Sequence, residues 1–216
     1  MFKLDKRLRA LLNEIEGGLI ADIGCDHGKL SIASLVEKKC DRVIAADISA
    51  NSLSKAVALA DNYKLTDKVE FRVSNGFEKI DEDLDAAIIA GLGGYEIRDI
   101  LSKKMPSVKR LLLCPHQNAM IARVTLNSLG YGATKDFVVK EGNKYYQIIV
   151  AEKDAPKYIL EELRFGKNLP ATQDYYAMLM DRKAVLDARF EGKAIPEGEM
   201  QDEYQEIERC LKLKTL

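Results

Sequence analysis

The residues most suited to chemistry lie in one loop, Asp22 to Gly28, which follows an apolar segment and precedes a predicted helix. In a strand–turn–helix arrangement, glycines bring a ligand close to unpaired backbone N–H groups. The loop spacing is D-x-G-x-D-x-G, with Asp26 where a dinucleotide-binding loop has its close-approach glycine. A carboxylate there would repel a pyrophosphate but tolerate a sulfonium or an ammonium group. We therefore predict that S-adenosylmethionine, not NAD, is bound by Asp22, Gly24, Cys25, Asp26, His27 and Gly28.

A second acidic residue follows the next apolar run, which ends at Asp47 and Ile48. A carboxylate about 20 residues beyond the glycine turn is typical of ribose recognition, because it can accept hydrogen bonds from both hydroxyls. We predict that Asp47 and Ile48 belong to the cofactor site. The alternative is that Asp22 and Asp47 only cap the helices that follow them.

Two further loops complete the predicted site. Asn75 and Gly76 follow a third strand, where a side-chain amide suits the adenine edge of the cofactor; simple turn chemistry is the alternative. The loop Ala90-Gly91-Leu92-Gly93-Gly94 follows a fourth strand, and its glycines predict a close approach of backbone to ligand. We expect Ala90, Gly91, Leu92 and Gly93 to contact the cofactor, Gly93 and Gly94 to contact the acceptor, and Gly93 to have a positive φ. The alternative is that these glycines only allow the next helix to pack.

The elements that position these loops are predicted to form an α/β protein. Five strands alternate with helices, and a final hairpin closes around residues 141–144, which indicates a Rossmann-like sheet, parallel with one reversed strand. This is the class I methyltransferase architecture in outline. After residue 154 the pattern becomes helical, with apolar residues at the spacing of a coiled-coil seam. We predict a sheet domain over residues 1–154 and a C-terminal α-helical hairpin over 155–216, with a connector at 192–198. The expected seam residues are Tyr175, Leu179, Leu186 and Phe190, facing Met200, Tyr204, Ile207 and Leu211.

Composition limits the class of protein. The chain has 216 residues, 47% of them hydrophobic and 31% charged, and a net charge of −1. No apolar run reaches the length of a membrane span, and the four cysteines are too scattered for a zinc site or a disulfide framework. We expect a cytoplasmic protein without a metal or a membrane partner. A nucleic acid partner would need a local basic face.

Several of these pieces resemble the bacterial tRNA adenine-22 N1-methyltransferases, which use S-adenosylmethionine and carry a helical C-terminal extension. The similarity rests on Lys6-Arg7-Leu8, on the Asp26-His27 pair within the glycine loop, on the Gly91–Gly94 loop, and on Leu163-Arg164-Phe165-Gly166. Two positions depart from the family pattern: Cys114-Pro115-His116 replaces its usual Gln-Pro-Asn, and Asn75-Gly76 replaces Asp-Gly. The resemblance implies methylation of N1 of adenine 22 in tRNA. It also implies tRNA as partner, Arg7 and Pro115 near the acceptor, and a monomer or a weak dimer through the helical extension.

The reaction would require Asp26, His27 or His116 to accommodate the positive charge that appears on the methylated adenine. For His27, helix-start capping and loop packing are the alternative. Other readings remain open at this stage. They are a different RNA or small-molecule methyltransferase that uses S-adenosylmethionine, a cytosine C5-methyltransferase with Cys114 as nucleophile, and a non-catalytic nucleotide-binding module that recruits RNA.

Overall fold

The chain folds into a central sheet, two helical layers and a C-terminal helical pair. The computed structural model describes residues 3–191 and 194–213. The strands are β1 Leu19–Ile23, β2 Arg42–Asp47, β3 Val69–Val73, β4 Leu84–Ala90, β5 Val108–Cys114, β6 Tyr131–Glu141 and β7 Lys144–Lys153. The helices are α1 Lys6–Glu14, α2 Lys29–Val36, α3 Ala50–Asn62, α4 Gly94–Leu101, α5 Ala119–Ser128, α6 Gln173–Phe190 and α7 Glu199–Lys212.

The sheet has the order β3-β2-β1-β4-β5-β7-β6. Strands β1 to β5 are parallel, and β7 runs antiparallel to both of its neighbours, β5 and β6. The predicted Rossmann-like sheet with one reversed strand is therefore confirmed. A turn-rich segment without an α-helix joins β3 to β4, whereas helices connect the other parallel strands.

Two layers of buried apolar side chains, one on each face of the sheet, pack the sheet against helices. The middle strands are buried on both faces, as continuous apolar runs in parallel strands predict. Helices α1, α2 and α3 cover one face through residues such as Leu11, Ile32 and Leu53. Helices α4 and α5 cover the other through residues such as Ile97 and Leu126. All of the strand-end loops predicted to form the site follow β1 to β5, so they meet at one edge of the sheet.

Helices α6 and α7 form the predicted C-terminal pair, which packs beside β6. Their shared core contains Tyr175, Leu179, Leu186 and Ile207 from the expected seam, together with Cys210, which was not expected. Phe190, Tyr204 and Leu211 are only partly buried against it, and Met200 is half-buried outside it. In the connector, residues 192 and 193 lie outside the described part of the chain. No helix among the described residues is long and apolar enough to cross a membrane.

A buried ion pair fixes the segment between β7 and α6 to the sheet. Arg123 of α5, with no exposed surface, donates to both carboxylate oxygens of Asp136 on β6, at 2.8 and 3.0 Å. Arg123 also donates to the backbone carbonyls of Leu163 and Arg164, and the Tyr158 hydroxyl donates to Asp136 at 2.8 Å. A buried ion pair contributes stability only when further hydrogen bonds satisfy both groups, as they do here.

Candidate active site

A cavity of about 710 Å³ lies at the carboxyl ends of strands β1 to β4, which is an ordinary size for a small-molecule site. It contains most of the residues that the sequence predicted for a cofactor. Those that line it are Arg7, Asp22, Gly24, Cys25, Asp26, His27, Asp47, Ile48, Asn75, Gly76, Ala90, Gly91 and Leu92. In open parallel sheets, ligands bind at this edge, where neighbouring loops diverge.

Two glycines bring bare backbone to the cavity wall. Gly24 has φ +73° and Gly91 has φ +82°, a backbone conformation that disfavours residues with a Cβ. A Cβ atom built at Gly24 would come no closer than 3.8 Å to another group, and one built at Gly91 no closer than 3.7 Å. Such side chains would therefore project into open space and take up room that a ligand needs.

Asp47 joins the loops that follow β1 and β2. Its Oδ2 accepts a hydrogen bond from the backbone N–H of Asp26 at 3.0 Å, and its Oδ1 accepts one from Ser49 at 2.8 Å. Each carboxylate oxygen has a second lone pair, so the group can also accept hydrogen bonds from a ligand. The helix cap predicted after β2 is supplied by the Ser49 side chain, which accepts from the backbone N–H of Ser52. The Asp47 carboxylate therefore remains on the cavity wall.

Asp22 is a buried acid at the base of the cavity. Burial raises its pKa to about 6, although a hydrogen bond of 2.5 Å from the Ser31 hydroxyl acts in the opposite direction. A cationic ligand group nearby would favour the ionised form of this carboxyl group.

The far end of the cavity is partly apolar. Ile48 is 73% exposed there, which is unusual for an isoleucine that follows a buried strand, and Ile100 of α4 also lines the wall. The Asn75 amide donates to the Glu78 carboxylate at 3.0 Å. An exposed apolar side chain beside polar groups suits the face and the edge of a heterocyclic base.

The opposite end of the cavity is lined by a positively charged side chain, that of Arg7. The Arg7 guanidinium lies 5.3 Å from the centroid of the Tyr146 ring. It is also the group closest to the Cβ position at Gly91, and its backbone N–H donates to Glu141 at 3.3 Å. His27 lies at the rim, with its Nε2 atom 3.1 Å from the Lys55 ammonium and 3.5 Å from the Asp26 carboxylate.

Five predicted site residues do not line the cavity: Gly28, Gly93, Gly94, Pro115 and His116. At Gly28, where φ is +69°, a Cβ would lie 2.7 Å from that of Ala56, so this glycine lets α2 approach α3. At Gly94 a Cβ would overlap the carbonyl of Asn118, so this glycine lets α4 begin against the loop after β5. Both glycines thus permit close helix packing, which was the alternative given for Gly94.

The other three support the wall from behind. Gly93 is buried with φ −79°, so the expected positive φ is wrong there and belongs to Gly91 instead. Pro115 is buried, and the exposed His116 donates its backbone N–H to the Leu92 carbonyl at 3.0 Å. That hydrogen bond ties the loops after β4 and β5 together beside the cavity.

The amino-acid sequence of the chain is similar to those of known proteins. Residues 4–149 match a family model described as "Methyltransferase domain". The chain belongs to this methyltransferase family. The tRNA (adenine(22)-N(1))-methyltransferase of Bacillus subtilis is 32% identical over 155 residues, which make up 69% of this chain and 65% of that protein. A putative tRNA methyltransferase of Mycoplasma pneumoniae is 33% identical over 65% of this chain and 67% of its own length.

Solved structures agree with these relatives. A Streptococcus pneumoniae protein described as a putative tRNA (m1A22) methyltransferase has a TM-score of 0.87 and 25% identity, over 97% of this chain and 100% of its own. The Mycoplasma capricolum protein TrmK, solved with S-adenosylhomocysteine, shares the fold at a TM-score of 0.87 and 24% identity, over 98% of this chain and 99% of its own. Within the methyltransferases, the chain is thus similar to the tRNA adenine-22 N1-methyltransferases, the resemblance that its loop motifs indicated.

In this methyltransferase Cys114 is not suited to act as a nucleophile. Its side chain is fully buried at the end of β5, and burial raises the pKa of the thiol to about 12. A reactive cysteine needs the thiolate form and access to solvent or substrate. The geometry therefore disfavours the cytosine C5 reaction.

Sequence reasoning missed several residues of the methyltransferase cavity. Ser31 holds Asp22, while Ser74, Glu96, Asp99, Ile100 and Lys103 line the wall. The last four lie on α4 or just beyond its end, and they reach the cavity because Gly94 lets this helix start close to the strand ends. No local motif marks them. The sequence shows only acidic residues, Glu96 and Asp99, around the apolar Ile97, a pattern typical of any solvated helix.

Proposed function

We propose that this chain transfers the methyl group of S-adenosylmethionine to N1 of adenine 22 in bacterial tRNA, in the cytoplasm. The observation that carries the proposal is the order of groups along the cavity. Asn75, Asp47, Gly24 and Gly91 follow β3, β2, β1 and β4, which are neighbours in that order. Adjacent strands lie about 4.8 Å apart, so the four loops span roughly 14 Å, the scale of an extended nucleoside with an amino-acid tail.

The chain's groups match such a ligand from end to end. Ile48 and Asn75 suit the adenine face and edge, and Asp47 suits the two ribose hydroxyls. Asp22 and Asp26 provide negative charge for an ammonium and a sulfonium group, while the glycine backbone at Gly24 allows close approach. When bound, S-adenosylmethionine supplies a methyl group made electrophilic by its sulfonium sulfur.

The acceptor chemistry asks little of the protein beyond position. Adenine N1 carries an in-plane lone pair and can attack without losing a proton first, so the chain must hold a flipped base in line with the methyl group. The ring becomes positively charged on methylation, and the carboxylate of Asp26 stabilises that charge. His27 lies beside Asp26 and orients it. Arg7, at the Gly91 end, provides an anion-binding group for the acceptor nucleotide.

His116 has a different part in this proposal. Its backbone, rather than its ring, acts by fixing Leu92 and thus the loop that separates donor from acceptor. Pro115, Gly93 and Gly94 shape the same loop pair. The residues that differ from the family's usual Gln-Pro-Asn lie in this supporting loop pair. They leave the predicted cofactor-binding residues unchanged.

Two measurements test the proposal and separate it from a non-catalytic module. S-adenosylmethionine, but not NAD, should raise the melting temperature. Methyl groups labelled in the cofactor should appear in bulk tRNA in the presence of the wild-type chain. Stabilisation by the cofactor without any transfer to RNA would contradict the proposal and favour a binding module or a small-molecule acceptor.

A further inference from the structure

Four exposed lysines lie on elements that reach the cavity edge of the sheet, and we call them the basic crescent: Lys6, Lys29, Lys55 and Lys144. Lys29 lines the cavity itself, and the Lys55 ammonium lies 3.1 Å from the ring of His27 at the rim. All four residues are exposed. Among the residues that the structure describes, none of the four ammonium groups has a carboxylate partner within the 4.0 Å limit for an ion pair.

The other two members of the crescent are linked to the cavity through Arg7. Lys6 precedes Arg7 on α1, and Lys144 begins β7 opposite Glu141, whose carboxylate accepts the backbone N–H of Arg7. The β6–β7 tip reaches this position because β7 starts at Lys144, whereas its pairing with β5 starts only at Ile149. The tip therefore extends beyond the end of β5, at the same edge as the cavity.

The opposite side of the cavity carries charges that are largely paired. Glu96 and Asp99 of α4 line that wall, and the two lysines that follow α4 are already paired, Lys103 with Glu78 and Lys104 with Asp81. Arg98 of α4 is likewise paired with Asp99, at 2.8 Å, so the cations named on this side are already neutralised, whereas those on the α1–α3 side are available to a polyanion.

The helical extension offers no comparable attraction on its second helix. Helix α7 carries five carboxylates and two basic residues. A surface of that sign is unfavourable for a phosphate backbone, where cations supply most of the affinity. Helix α7 is therefore not a surface that its charge would favour for RNA binding.

We infer that the basic crescent binds the phosphate backbone of the RNA on either side of the flipped adenine. This inference rests on the proposed function and specifies which face of the enzyme the tRNA contacts. These lysines lie on four separate elements, α1, α2, α3 and the β6–β7 tip, and within the described parts of the chain no carboxylate neutralises them. The phosphate chain runs along this arc while the target base enters the cavity beside Gly91.

The test is the salt dependence of tRNA binding by the full chain. Each phosphate contact contributes about 0.7–0.9 to the slope of log affinity against log salt concentration. Each of two double variants should reduce the magnitude of this slope by roughly 1.5. They are Lys6→Gln/Lys144→Gln and Lys29→Gln/Lys55→Gln. Affinity for unmodified tRNA transcript should fall together with the slope.

A matched control comes from the far edge of the sheet, where Lys68 and Lys157 are also exposed. Lys68→Gln/Lys157→Gln removes the same charge and should leave the slope unchanged. Cofactor affinity, measured by calorimetry, should be unaltered in Lys6→Gln/Lys144→Gln, which separates RNA docking from damage to the site. Slopes that are equal in all three double variants, or a wild-type chain that does not bind tRNA, would overturn the inference. A wild-type chain that binds tRNA through the crescent without methylating it would leave the surface standing and refute only the proposed reaction.

Discussion

Replacing Asp47 with alanine should weaken binding of S-adenosylmethionine while the protein stays folded. In the structure this carboxylate accepts one backbone N–H from each of two loops, those of Asp26 and Ser49, and its remaining lone pairs face the cavity. Asp47→Ala therefore removes a ligand contact and a connection between the loops at once.

The size of the effect follows from these contacts. A hydrogen bond to a charged group contributes about 1.5–3 kcal/mol, so loss of the ribose contact should raise the dissociation constant roughly 10- to 150-fold. The two backbone N–H groups lie near solvent and can bond to water instead. The cost in unfolding free energy should then stay near 1 kcal/mol, or about 2–4 °C in melting temperature for a chain of this length.

Calorimetric titration with S-adenosylmethionine and a melting curve on the same preparation measure both quantities. Asp61→Ala is the matched control, because Asp61 is an exposed acid on the neighbouring helix α3 and its removal changes the net charge equally. An unchanged dissociation constant in Asp47→Ala, or an equal loss in the control, would refute the assignment of Asp47 to the ribose.

Four further predictions concern other parts of the account. The buried carboxyl group of Asp22 has a folded-state pKa of about 6 instead of 3.8, so its contribution to stability is present below about pH 4 and is lost as pH rises to 6. In Asp22→Asn, the free energy of unfolding should lose this decrease between pH 4 and 6, which amounts to at most about 3 kcal/mol. Denaturant unfolding across this pH range measures it, and an identical decrease in the variant would contradict the prediction. Cys114→Ala should retain methyl transfer and the same methylated nucleoside, whereas a loss of more than 100-fold in a folded variant would restore the cytosine mechanism. Gly93→Val should lower turnover at saturating cofactor far more than cofactor affinity, because the added side chain displaces the neighbouring cavity wall. Gly94→Ala should instead lower the melting temperature. Loss of stability in Gly93→Val together with loss of turnover in a stable Gly94→Ala would contradict this division. Deleting residues 173–216 should preserve cofactor binding measured by calorimetry, since the segment that covers the buried ion pair remains, and a variant without cofactor affinity would show that the extension supports the site.

The sheet and the cofactor loops were predictable because their signals are local. The apolar runs of β1, β2 and β4 end in glycine or acidic residues, and such strand ends meet at one edge whatever the intervening helices do. Asp47 and Gly91 therefore fell on the cavity wall without any tertiary information.

Sequence is less informative where one glycine pattern serves two purposes. Gly28 and Gly94 look like ligand-approach positions in sequence, but in the fold they face Ala56 and the Asn118 carbonyl, so they serve helix packing. A sequence does not reveal what lies opposite a glycine. The Arg123–Asp136 pair was unpredictable for the same reason, because its residues lie on different elements and meet only when α5 packs on β6.

Methylation of unmodified tRNA transcripts by the purified chain, followed by nucleoside analysis of the digested RNA, tests the central claim most directly. The account predicts 1-methyladenosine as the product, formed once per transcript, and no product when adenine 22 is replaced by guanine. Methylation of cytosine, methylation that persists after the replacement, or transfer to no RNA at all would contradict it.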